Sequence, residues 1–225
     1  MNKFFISFFL YISISAASAD TITFTYNEFK HDKLIATADF MVAKNKNNFC
    51  VSIQSTKDRQ KIRQEMTCDS TFNTITWRHN IDSNTDLFFI RKNDHIEVNG
   101  KLFGKPIIKN ITIDNRPWYQ VVPLGLQTVC QDSAGRAKFW AISLEEPFML
   151  KPVRFCVAGI SNSPMPIHPE TACRCIHIKI DGMAQIWKGD YFIRKDNRTF
   201  AYYQGFMYGS KKPQNIIEPK FRNWK

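Results

Sequence analysis

The sequence predicts a mainly β protein: a curved antiparallel meander sheet, an open half-barrel, wrapping one central, proline-kinked helix. Three observations point there. Apolar and polar residues alternate along most of the chain, turn-forming residues return at short intervals, and one stretch alone switches to helical spacing. Strands so closely spaced pair antiparallel, because parallel neighbours need crossovers of a dozen or more residues.

The elements follow in order. Ile22, Phe24 and Tyr26 alternate with Thr21, Thr23 and Thr25, a β-branched and aromatic strand with one apolar face. After a Lys30-His31-Asp32-Lys33 turn, Leu34, Ala36, Ala38, Phe40 and Val42 share one face of a second strand. Asn45-Lys46-Asn47-Asn48 turns the chain into Phe49, Val51 and Ile53. A polar turn at Lys57-Asp58-Arg59-Gln60 then leads to a strand ending at Cys68. Ile75 to Arg78, Leu87 to Ile90 and Ile107 to Ile113 continue the meander.

Asp114-Asn115 then offers cap residues and Pro117 suits a first helical turn. Trp118, Val121, Val122, Gly125, Leu126 and Val129 recur at three and four residues, with Pro123 kinking the helix and Gly135 ending it. Strands resume with Trp140, Ile142 and Leu144, then Val153, Phe155 and Val157. A Ser161 to Pro166 turn precedes Ile176, Ile178 and Ile180. The last hairpin joins Tyr191-Phe192-Ile193-Arg194 to Phe200-Ala201-Tyr202-Tyr203 through Lys195 to Arg198.

Residues 1–19 read as a signal peptide. Lys3 supplies the positive start, Phe4 to Ile12 open the apolar run, and Ala17-Ser18-Ala19 gives the small-x-small cleavage pattern. The expected mature protein is periplasmic or secreted, cleaved near Ala19, with no transmembrane segment. It comprises one β-rich domain over 20–209 and a polar basic tail over 210–225.

With 225 residues, 44% hydrophobic and 14% aromatic, the chain has the apolar mass for a core and is neither a disordered tail nor a coiled coil. Its nine glycines include no two standing two apart, which excludes a dinucleotide-binding GxGxxG turn. A formal net charge of +11, spread along the chain, favours solubility and attraction to an anionic envelope surface. No RNP-like or zinc-finger motif accompanies the charge, so nucleic acid is not an expected partner.

A resemblance rests on Trp118-Tyr119 after Pro117, and on Gly189-Asp190-Tyr191-Phe192 before Asp196-Asn197-Arg198-Thr199-Phe200. With the meander, these residues resemble a loose group of exported bacterial proteins of unknown function. That group is similar to the periplasmic lipoprotein-carrier type of open half-barrel. The resemblance implies a curved sheet around a helix and lipid, and transfers no functional residue.

Six cysteines in an exported chain point to disulfides. Cys50 and Cys68 are equidistant from Arg59, so a hairpin turning there sets them opposite each other. That register also pairs Val51 with Thr67 and Ile53 with Glu65, which a bulge would relieve. Cys156 and Cys173 flank the Ser161–Pro166 turn, leaving Cys130 for Cys175; exchanging Cys173 and Cys175 is the nearest alternative. A metal reading places Cys173, Cys175 and His177 on one strand face, with His168 nearby, as soft ligands for copper(I) or zinc.

No catalytic residue is assigned and no cofactor is implied. Gly159-Ile160-Ser161-Asn162-Ser163 lacks the final glycine of a nucleophile elbow, and HExxH is absent. His79, Asp82 and Asp86 flank a turn, where such residues serve turn geometry, and Glu145 and Glu146 point to opposite faces of a strand. The functional expectation is non-enzymatic binding of a hydrophobic or lipid-like ligand. Trp118, Val122 and Leu126 would line the helix side, and Trp140 and Ile142 the sheet side. The alternatives are an envelope scaffold with a filled core, and a hydrolase without a recognisable motif.

Overall fold

In the computed structural model, residues 21–57, 59–129, 137–145, 148–182, 187–207, 210 and 212–220 are described. The expected signal peptide, Cys130, Gly135 and Glu146 lie outside them. The alternating segments form β1 (Thr21–Lys30), β2 (Lys33–Asn45), β3 (Asn48–Lys57), β4 (Gln60–Cys68), β5 (Thr74–Ile81), β6 (Thr85–Arg91), β7 (His95–Leu102) and β8 (Lys105–Thr112). After helix α1 (Val122–Val129) come β9 (Lys138–Ser143), β10 (Lys151–Met165), β11 (His168–Ile180), β12 (Trp187–Arg194), β13 (Phe200–Met207) and β14 (Asn215–Pro219).

All fourteen strands join one antiparallel sheet in the order β8-β7-β6-β5-β4-β3-β2-β1-β14-β13-β12-β11-β10-β9. The sheet is not closed into a barrel; β8 and β9 are its ends. The mainly β, open meander is therefore as the sequence predicts. Edge strand β8 carries Lys105, Pro106 and Lys109, residue types that discourage pairing with another strand.

The chain between the two edges runs inside the curve, where it differs from the expected kinked helix. Trp118 is bridged to Trp140, and the chain bends at Gln120 and Val121 before the helix starts. The Tyr119 amide donates to the Trp140 carbonyl at 2.8 Å, and the Trp140 amide to the Pro117 carbonyl at 2.8 Å. Pro123 is the second residue of α1 and opens the helix instead of kinking it. A proline in the first turn forfeits no intrahelical bond, since those N–H groups have no partner there.

Gly125 of α1 is required by a close approach: a Cβ would lie 2.2 Å from the ring of Tyr119. Gly100 in β7 has φ +142°, and a Cβ there would meet the Asp86 carbonyl at 2.0 Å. β7 itself, with Ile96 and Val98 fully buried, is a strand beyond those the sequence predicts.

Two further expectations are corrected. The residues expected as a tail include β14, which lies between β1 and β13: Tyr26 opposes Pro219 and Tyr203 opposes Ile217. Five residues are too few for visible alternation, yet Ile216 and Ile217 give the strand an apolar side chain on each face. The segment 161–166 is also no turn. β10 runs through to Met165, and the chain reverses at Pro166-Ile167.

Two cores occupy the concave side. The first takes Val51, Trp77, Phe89 and Val98 from the sheet, with Trp118, Val121 and Leu124 from the inserted chain. Trp77 stacks on Phe89 at 4.3 Å between centroids and meets Trp118 edge-on at 6.4 Å. The second gathers Phe139, Ile176, Ile178, Tyr191 and Tyr203 around Tyr119, Leu126 and Val129. The short helix thus buries two faces, one in each core. On the opposite face of the second half, a third cluster holds Met165, Cys173, Cys175, Phe192, Ala201 and Tyr202.

Candidate functional site

The five proposed ligand-lining residues are divided between the two cores. Trp118 and Ile142 belong to the first core and Leu126 to the second, all three buried. Val122 packs on the second core and Trp140 on the first, both partly exposed.

Polar bonds tie the inserted chain to the sheet. The Trp118 amide donates to Asn73 Oδ1 at 2.8 Å, and its indole N–H to Gln120 Oε1 at 2.9 Å. Gln120 Nε2 donates to the Ile142 carbonyl at 3.1 Å, and Arg91 Nη2 to the Arg116 carbonyl at 2.8 Å. These bonds hold the segment against the sheet.

The seam between the cores is one partly open place on the concave side. Phe24 and Phe40, opposed on β1 and β2, stack at 5.3 Å and pack against both cores, yet neither is fully buried. Tyr26 meets Phe40 edge-on at 5.6 Å and donates its hydroxyl to the Phe200 carbonyl at 2.8 Å. Ala36 and Ala38 on β2 leave the seam short of side-chain bulk. Glu28, farther along β1, has its carboxyl pushed above the ordinary range by burial, a shift that the Lys57 charge partly opposes.

A second candidate lies on the other face, across β10 to β13. His177 Nδ1 is 2.8 Å from Asp190 Oδ1, and His177 Nε2 is 3.1 Å from Ser161 Oγ. Asp190 Oδ2 accepts from Gln204 Nε2 at 3.0 Å, and Cys175 Sγ is 3.8 Å from His177 Nδ1. The ladder explains the assembly. Ser161 opposes Cys175, His177 opposes Asp190, and Asp190 opposes Gln204, so one rung after another brings them to one face. His177 is 42% exposed and Asp190 18%, whereas Cys175 is buried and its thiol is pushed up to about 12 by that burial.

Serine, histidine and aspartate stand in the order of a hydrolytic relay. Ser161, however, sits on an extended strand without the strained strand-to-helix turn that presents a nucleophile beside oxyanion donors.

The alternative metal set is only partly brought together. Cys175 and His177 are together, but Asp190 replaces Cys173 as the third neighbour: Cys175, His177 and Asp190 place one ligand atom each within 4.8 Å of one another. His168 pairs with Glu170 at the far end of β11. Asp190 was legible only as part of Gly189-Asp190-Tyr191-Phe192, with no hint that it faces His177.

Two of the expected cysteine pairs, Cys50–Cys68 and Cys156–Cys173, lie wholly among the described residues, and both are separated. Thr67 opposes Cys50 and Phe49 opposes Cys68, so Cys50 is exposed while Cys68 is buried on the other face. Lys57 pairs with Gln60, a register one residue away from the one centred on Arg59, and that difference exchanges faces. It relieves half of the polar mismatch: Val51 meets Met66, while Ile53 meets Gln64. Cys156 opposes Lys179 and Cys173 opposes Ser163, which puts them roughly 20 Å apart along the ladder. His79, Asp82 and Asp86 likewise disperse: His79 is buried, Asp82 accepts from the Lys61 amide, and Asp86 pairs with Arg78.

No family model matches the chain, and no curated protein matches it. Among solved structures it is similar to a DUF1329 family protein from Desulfovibrio piger ATCC 29098, at 9% identity and a TM-score of 0.27, over 91% of this chain and 85% of that one.

Proposed function

We propose that the protein is a non-enzymatic binding protein of the bacterial envelope that takes an apolar or lipid-like ligand on the concave face of its sheet. One observation carries the reading: the stacked Phe24–Phe40 pair lies mid-sheet between two filled cores and is still partly exposed. Partly open apolar surface inside a curve, beside small Ala36 and Ala38, is what an acyl chain or similar group fills. The ligand's place moves from the helix side to this seam; Val122 of α1 packs on the second core, as Phe24 and Phe40 do. The signal-peptide pattern of residues 1–19 supports export, and the +11 charge supports contact with anionic envelope surfaces.

Native mass spectrometry of the protein purified from a bacterial envelope fraction, with extraction of bound lipid, tests this. An apolar adduct that is lost in Phe40→Asp is the expected result. Retention of the adduct in that variant overturns the seam. A protein that carries no adduct and binds no fatty acid or phospholipid probe overturns ligand binding. The scaffold reading would then hold, favoured by Trp118, Leu126 and Ile142 filling the interior and by Phe103 and Ile108 exposed at the β8 edge.

A further inference from the structure

We propose that Cys175, His177 and Asp190 form a three-ligand site for a divalent transition-metal ion, zinc first, on the convex face of the sheet. The argument is independent of the apolar seam, which lies on the other face.

The ligand atoms are already near the required spacing. Zinc bonds to sulfur, nitrogen and oxygen at tetrahedral angles hold the ligand atoms roughly 3.4–3.6 Å apart. Cys175 Sγ and His177 Nδ1 are 3.8 Å apart, His177 Nδ1 and Asp190 Oδ1 are 2.8 Å apart, and all three atoms lie within 4.8 Å of one another. A sub-ångström opening of the His177–Asp190 contact makes room for the ion. Small side-chain rotations of the half-exposed imidazole supply it.

The donor set also discriminates. One thiolate and one carboxylate balance a divalent charge, and sulfur with imidazole favours zinc over the hard cations magnesium and calcium. Exposure of His177 leaves a route and a fourth position for water.

The atoms not facing the ion are held as well. A histidine ligating through Nδ1 carries its proton on Nε2, and Ser161 Oγ stands 3.1 Å from Nε2 to accept it. Asp190 ligating through Oδ1 keeps Oδ2 for the Gln204 amide at 3.0 Å. Such outer partners orient metal ligands and strengthen binding. Proton accounting is simple: the Cys175 thiol proton leaves to solvent, and the neutral imidazole holds its one proton on Nε2.

The proposal opposes the Cys130–Cys175 disulfide expected from the sequence, because a ligating Cys175 must be a thiol. It also opposes a hydrolytic role for Ser161, because a general base needs Nε2 free of its proton.

The test uses the full chain as purified, dialysed against zinc(II) or cobalt(II). Expected are one ion per chain by elemental analysis, and for cobalt a sulfur-to-metal charge-transfer band with intense tetrahedral visible bands. Cys175→Ser loses the charge-transfer band, while Cys173→Ser on the same face keeps it. Because Cys175 is buried, His177→Gln and Asp190→Asn repeat the test at more exposed positions, each weakening binding at least tenfold. Ser161→Ala weakens it about tenfold, the scale of an outer partner. Four results overturn the proposal: no bound ion, a charge-transfer band persisting in Cys175→Ser, Cys175 found in a disulfide by non-reducing peptide mapping, or labelling of Ser161 by a fluorophosphonate.

Discussion

The two halves of the sheet bury their side chains differently. In β5 and β6 the pattern is strictly one-sided: Trp77, Leu87 and Phe89 are buried, while Arg78, paired with Asp86, and Phe88 stand on the exposed face. In β12 and β13 burial runs through consecutive residues, Tyr191-Phe192-Ile193 and Phe200-Ala201-Tyr202-Tyr203. One face of that half joins the second core, and the other holds the cluster of Cys173, Cys175 and Phe192. The polar ladder of Ser161, His177, Asp190 and Gln204 borders that cluster. Polar groups beside an apolar patch are less well screened by water than those on a wet face, which is why the second half is the place for chemistry.

The largest effect that would break this comparison is core truncation on both faces. Trp118→Ala should cost roughly 3–5 kcal/mol in urea unfolding, and Phe192→Ala a comparable roughly 3 kcal/mol, because both leave cavities. Phe88→Ala, on the exposed face of the first half, should cost under about 1 kcal/mol. Equal costs for Phe192→Ala and Phe88→Ala would remove the second face from the core.

Next is acid. Burial lowers the His79 imidazole from 6.5 to about 4, so the unfolded chain binds the proton first. Stability that is complete above pH 6.5 is therefore lost as pH falls toward 4, by about 3 kcal/mol from this one group. Unfolding curves of His79→Gln, which has no proton to bind, should show that much less acid sensitivity. An unchanged pH dependence would place the sensitivity elsewhere in the sheet.

Gly125→Ala sharpens the link between the halves. Helix propensity alone favours alanine by about 1 kcal/mol, but the new methyl would meet Tyr119 and push α1 away from it. The expected net loss is roughly 1–2 kcal/mol by thermal unfolding, and any gain would show the helix to be loosely seated.

The smallest effect belongs to the wet face. Asp86→Asn breaks an exposed pair with Arg78 and should cost under about 1 kcal/mol, less in high salt.

Legibility divided along the same line. Single strands with clean alternation, such as Thr21–Lys30 and Lys33–Asn45, were readable because each residue's face follows from its neighbours. β14 escaped because Lys211, Lys212 and Lys220 flank two isoleucines, and its reason to be a strand is the vacancy between β1 and β13. Trp118 and Val121 also fit helical spacing, but bridge bonds to Trp140 hold Trp118 and Tyr119 out of the helix, which starts at Val122, five residues after Pro117. Half of the convex cluster was visible, since Cys175 and His177 stand two apart. Asp190 and Ser161 arrive from other strands.

The sequence by itself determined the mainly β meander and the aromatic interior, because alternation and turn chemistry act over a few residues. Only the tertiary structure decided the register between strands, and with it the separation of Cys50 from Cys68 and the meeting of His177 with Asp190. The reason is geometric. Side chains alternate with a period of two, so a one-residue change in a turn, or a bulge such as that between Val157 and Gly159, sends every later side chain to the opposite face.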